Sequence, residues 1–262
     1  MSLRWALALV CCLAVRPAGA LESRVGFDQR LGERVPLDLV LRDAHGAEHS
    51  LRSLLAARPA LLVPGYYDCA NLCGAVRMGV AHAVTGTHFA VGDQFNVILV
   101  SIDPRETTAD AARAQRHDST LDPRAGVPRW LYTIATPQDG AQLMRAIGFR
   151  YRFDSINAQY VHPAGLVVLD ARGTIVQYLF GVAFVPETLH LALADASAGR
   201  LGSLIDRFVL LCCNYDPRTG RYSLIVSRVL QALGIATTLG IAALIKLLRR
   251  GESARARRGT PA

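Results

Sequence analysis

The chain has 262 residues, 51% hydrophobic and 19% charged, enough for one domain with a full core plus short flanking segments. Its net charge of +8 sits mainly at the ends. Residues 246–262 carry +5 (Lys246 and five arginines against Glu252) and residues 1–20 carry +2 (Arg4 and Arg16), leaving +1 for the body between. A nearly neutral body has no electrostatic footprint for nucleic acid, so no such partner is expected.

Residues 1–20 read as a secretory signal: Arg4, a short apolar core over 5–15, then Ala18-Gly19-Ala20 as a small-residue cleavage site. Cys11 and Cys12 lie inside that core and leave with it. Residues 21–205 follow as one α/β domain. A hairpin is expected around 37–46 and a short helix over 51–56 capped by Ser50. A buried strand is predicted over 60–63, and after a cysteine-bearing loop a helix runs to about residue 84. Residues 95–101 form a second, strongly apolar strand. Asp103-Pro104 turns the chain into a helix ending near Arg116, with Thr107 or Thr108 as its cap. A weaker strand over 130–134 and a helix over 138–147, closed by Gly148, come next. Residues 165–170 and 174–180 make a hairpin, and a helix over 186–196 begins with a proline in its first turn. This order, with the first two strands parallel and the last hairpin antiparallel, is that of a thioredoxin-like sheet.

Residues 206–223 read as a linker holding Cys212 and Cys213, two thiols or one partner in a longer bridge. Residues 224–246 are apolar over about 20 positions, long enough to cross a bilayer as one transmembrane helix. The basic tail, 247–262, then stays in the cytoplasm by the positive-inside rule and places the domain in the periplasm. Signal and anchor imply the same topology.

Cys69 and Cys73 carry the chemistry. Their C-x3-C spacing sets both sulfurs on one helix face if the helix starts there, and a helix N-terminus acidifies a thiol. In the expected sheet, the loop before the last hairpin passes beside them, and that loop holds His162. Two thiolates and one imidazole make a soft site suited to Cu(I), with Cu(II) reachable through a fourth ligand. Asp68 and Asp103 are candidates for supporting roles around it. The remaining histidines, His45, His49, His82, His88, His117 and His190, have no comparable placement, although His82 and His88 could line an entry path.

These residues bring a family into view. Tyr66-Tyr67-Asp68-Cys69-Ala70-Asn71-Leu72-Cys73, Val100-Ser101-Ile102-Asp103-Pro104-Arg105-Glu106, Gly148-Phe149-Arg150-Tyr151-Arg152-Phe153-Asp154 and His162 occur in the order found in the SCO/SenC copper chaperones of cytochrome c oxidase assembly. The chain resembles a sub-branch with a C-terminal membrane anchor. The resemblance implies copper bound by Cys69, Cys73 and His162, a Cys69–Cys73 pair that can also close as a redox disulfide, and the copper-bearing subunit of cytochrome c oxidase or another respiratory protein as partner. It implies a carrier rather than an enzyme. Departures are Ala70 and Gly74 where many members have proline, and Asn71-Leu72 where an acidic residue is common.

The two cysteines alone leave other readings open. They could form a structural disulfide, or serve a thiol–disulfide oxidoreductase that reduces a client respiratory protein. The oxidoreductase needs only the sulfurs, whereas the carrier also needs His162. A peroxidase would require a Thr-x-x-Cys arrangement that the chain lacks around Cys69.

Overall fold

The computed structural model describes residues 25–69, 72–120, 125 and 127–200, with short pieces at 215–216, 221–222, 234–235, 237–239 and 241. The chain divides into two compact units, Met1–Leu201 and Gly202–Ala262. In the first, the elements run β1 (Gly26–Phe27), β2 (Val40–Asp43), β3 (Glu48–Ser50), α1 (Leu51–Leu55), β4 (Ala60–Gly65), α2 (Leu72–Thr85), β5 (Asn96–Ser101), α3 (Thr108–Asp118) and β6 (Leu131–Ala135). They continue with α4 (Pro137–Ala146), β7 (Phe149–Arg150), β8 (Arg152–Asp154), β9 (Gln159–Val161), β10 (Gly165–Leu169), β11 (Ile175–Phe180) and α5 (Pro186–Ser197).

Seven strands form one sheet in the order β11-β10-β4-β5-β6-β2-β3. β4 and β5 are parallel, as are β5 and β6, while β10 runs antiparallel to both β4 and β11. The β10-β4-β5 arrangement is the thioredoxin-like core. The apolar runs are nearly continuous because both faces are covered. Leu61, Val63, Val97, Leu99, Leu166 and Val168 face the layer of α2, α3 and α5, whereas Leu62, Ile98, Val100, Val167 and Leu169 face that of α1 and α4. Parallel strands present their loops at one edge, and the β4–α2 loop therefore opens where sheets of this type keep their sites.

Local chemistry sets the boundaries. The Ser50 hydroxyl accepts the Ser53 N–H at 3.2 Å and starts α1. The Thr107 N–H donates to the Asp110 carboxylate at 2.8 Å at the start of α3. Gly148, at φ +62, closes α4, and a β-carbon there would lie 1.9 Å from the Asp28 carbonyl oxygen. The leading hairpin begins at Val40 rather than 37, because the Leu37 and Leu39 carbonyls accept the Arg52 and Leu51 N–H groups at the start of α1. The pairing of β7 with β1, and the small separate hairpin β8–β9, were not expected.

In the second unit, β12 (Tyr215–Asp216) pairs antiparallel with β13 (Arg221–Tyr222), and residues 234–235, 237–239 and 241 are helical. The signal, Cys212 and Cys213, the basic tail and most of the 224–246 span lie outside the described residues. Among the described residues no helix is long and apolar enough to cross a membrane.

Candidate metal centre

The structure brings Cys69, Cys73 and His162 together, each offering one ligand atom, and those atoms lie within 4.8 Å of one another. They arrive from two distant parts of the chain. Strand β4 ends at Gly65, and the loop through Tyr66, Tyr67 and Asp68 delivers Cys69 ahead of α2, whose second residue is Cys73. Only Cys73 is therefore on the helix; Cys69 sits in the preceding loop, not on a shared helix face as the spacing suggested. Its sulfur still accepts the Cys73 N–H, at 3.5 Å. His162 follows directly after β9.

Cys73 is buried and Cys69 half-buried, and both are thiols rather than half-cystines. Cys73 Sγ lies 3.0 Å from His162 Nε2, and His162 Nδ1 lies 3.0 Å from the Pro163 carbonyl oxygen. A carbonyl can only accept, so Nδ1 carries the proton and Nε2 presents a lone pair to the sulfurs. That tautomer is the one a metal-binding imidazole needs. Rings fix its plane: Tyr66 meets it edge-on at 5.7 Å between centroids, and Phe149 lies at 5.9 Å.

The expectation of two acidified thiols does not hold for Cys73. Its hydrogen bond to Cys69, together with burial, pushes the thiol well above its ordinary range, and the Arg77 charge offsets this only in part. The Tyr66 hydroxyl is likewise pushed up, first by burial and then by its hydrogen bond to Cys69.

Asp68 and Asp103 stand in different settings. Asp68 is exposed, and its backbone N–H donates to Glu106 Oε1 at 2.7 Å. Asp103 is 7% exposed and is gripped by Arg105, whose Nε and Nη2 donate at 2.8 and 2.6 Å. Burial raises the Asp103 carboxyl, but the Arg105 hydrogen bonds outweigh it and hold the group below the usual carboxylate range. Sequence reasoning missed Glu106. Its Oε1 also accepts the Tyr67 N–H at 2.6 Å, and its Oε2 accepts the Ser101 hydroxyl at 2.6 Å, so it ties the cysteine loop to the end of β5. Burial raises its carboxyl despite these donors. The residue closes the Val100–Glu106 segment quoted for the family resemblance, but a charged residue there reads as surface. Glu106→Ala leaves two loop N–H groups without their acceptor and is expected to cost about 2 kcal/mol of stability in chemical denaturation, with Glu106→Gln milder.

Behind the cluster, Arg77 is one turn beyond Cys73 on α2 and lines the same cavity as Cys73 and His162. Arg77 pairs with Asp118, which also accepts the Tyr132 hydroxyl at 2.7 Å. The other histidines stand elsewhere: His49 pairs with Asp43, His117 with Asp118, and the His88 ring packs 5.9 Å from that of His190.

No family model matches the chain, and no curated protein matches it. Solved structures do. A candidate electron transfer protein from Aquifex aeolicus VF5 is 29% identical, with 64% of this chain and 95% of that one covered at a TM-score of 0.58. Arabidopsis thaliana ScoI with copper bound is 13% identical over 65% of this chain and 99% of its own, at 0.52. A SCO1/SenC family lipoprotein from Bacillus anthracis str. Ames is 12% identical over 66% and 98%, at 0.50. At these similarities the fold is what is shared: the described domain has the thioredoxin-like fold of the SCO1/SenC proteins, with two thiols and an imidazole converging beyond the C-terminal end of strand β4.

Proposed function

We propose that the chain is a copper carrier of the SCO/SenC type, binding copper as cargo through Cys69, Cys73 and His162 and passing it to the copper-bearing subunit of cytochrome c oxidase. The single observation that carries this is the convergence of those three ligand atoms within 4.8 Å, with His162 Nδ1 turned to the Pro163 carbonyl and Nε2 to the sulfurs. Two sulfurs and one nitrogen are the donor set that soft Cu(I) prefers, and Cu(II) is accessible if a further ligand joins. The copper-bound Arabidopsis protein of the same fold supports the choice of metal. Loading displaces the protons held by the thiols, so it depends on both being reduced. Cys69 is the more accessible of the two and is the ligand that an incoming client thiolate replaces first.

The carrier works from the periplasmic face of a bacterial inner membrane. The signal-like 1–20 segment, the apolar 224–246 stretch and the basic tail support that placement, as do the exposed apolar side chains of Ile235, Leu239 and Ile241. In this organisation 21–205 is the copper-binding domain, 206–223 a linker and 247–262 a cytoplasmic tail. A thiol–disulfide oxidoreductase is the competing reading. It needs only the two sulfurs, with the more accessible Cys69 as the attacking group, and makes no use of His162.

Metal analysis of the reduced full chain after anaerobic Cu(I) loading and desalting tests the proposal. One copper per chain is expected for the wild type and none for Cys69→Ser/Cys73→Ser. A wild type that retains no copper yet catalyses disulfide exchange overturns it.

A further inference from the structure

Hairpin β8–β9 stands apart from the main sheet as a two-stranded sheet of its own, and His162 is the residue that follows it. An isolated two-stranded hairpin is marginal in water, so something else must hold this one in place. The geometry points to Arg105 as that element: we propose that it is a positioning residue that straps hairpin β8–β9 to the β5–α3 turn and so sets how fast His162 releases copper. This rests on the carrier reading above.

One end of the strap is rigid. Asp103 is buried, and Arg105 reaches it through its backbone N–H at 2.9 Å, through Nε at 2.8 Å to Oδ1 and 3.1 Å to Oδ2, and through Nη2 at 2.6 Å to Oδ2. Fixed in this fork, the guanidinium lies over the Phe153 ring of β8 at 5.0 Å and the Tyr160 ring of β9 at 5.8 Å, within the range of cation–π attraction. The two rings meet edge-to-face at 5.1 Å. Tyr160 passes the constraint inward, packing at 5.9 Å from Tyr66, which in turn packs at 5.7 Å from His162. The path from Asp103 to the imidazole is thus a continuous set of contacts, and its last ring, Tyr66, also hydrogen-bonds Cys69 through its hydroxyl. Lysine cannot replace the planar fork that both grips Asp103 and stacks on the rings.

Two measurements on the full chain test this. In the copper-free protein, Arg105→Ala is expected to speed amide hydrogen exchange over residues 152–161 about 10-fold, with β4 and β5 unchanged, which separates a loosened hairpin from an unfolded domain. In the Cu(I)-loaded protein, Arg105→Ala is expected to release copper to a competing chelator about 10-fold faster than wild type, with Arg105→Lys failing to restore the slow rate. If a copper-binding wild type and its Arg105→Ala variant show the same hairpin exchange or the same release rate, the strap is overturned alone. If the wild type never retains copper, the carrier function falls and the release-rate claim falls with it, whatever the exchange data show.

Discussion

His162→Ala is expected to weaken Cu(I) binding on the order of 100-fold or more while Cys69 and Cys73 still close and reopen as a disulfide. The size follows from removing a ligand outright, since losing only a supporting partner of a ligand already costs 10–100-fold. The separation follows from the geometry. Nδ1–H is committed to the Pro163 carbonyl and Nε2 faces Cys73 at 3.0 Å, so the imidazole has one outward task, toward whatever the sulfurs bind. Disulfide exchange needs only the sulfurs. The measurement is a competition against a Cu(I) chelator beside a thiol–disulfide equilibrium with glutathione. Unchanged copper affinity in His162→Ala removes His162 from the site and leaves a two-thiol protein.

Asp118→Ala is expected to destabilise the domain by about 3–5 kcal/mol, the cost of leaving a buried charge without its partner. The Arg77 side chain is 10% exposed and that of Asp118 1%, so water cannot take over from the lost carboxylate. Tyr132, itself buried, loses its acceptor in the same step. Denaturant unfolding followed by circular dichroism reads the loss. Asp118→Asn, which keeps an acceptor, should cost less, and Arg77→Met/Asp118→Leu should recover much of the stability, since apolar replacements of a buried pair are often neutral. A loss below about 1 kcal/mol in Asp118→Ala would sink the idea that the pair is a buried structural tie. Because Arg77 walls the cavity that holds Cys73 and His162, copper affinity should be compared only between variants that remain folded.

Much of the fold was legible because its physics is local. The runs at β4, β5 and β10 are apolar at nearly every position, as strands covered on both faces must be, and the caps at Ser50 and Thr107 mark helix starts with their own side chains. Short paired segments such as β1, β7, β8 and β9 were not, since two or three residues carry no period. Their pairing is settled by what lies opposite. The same contrast holds at the site. Cys69, Cys73 and His162 announced themselves by residue type and order. Glu106, Asp118 and Arg105 did not, because a charged residue in a sequence reads as solvated until a fold buries it or gives it a partner.

The sequence by itself thus determined the order of the core elements, the two sulfurs and the loop that holds the imidazole, because hydrophobic patterning and turn chemistry are written residue by residue. Only the tertiary structure decided the state of those groups. It set Cys69 in the loop rather than on the helix, raised the Cys73 thiol through its hydrogen bond to Cys69 and through burial, and turned His162 Nδ1 toward the Pro163 carbonyl. Those outcomes depend on burial and on contacts between residues far apart in the chain, which no local pattern encodes.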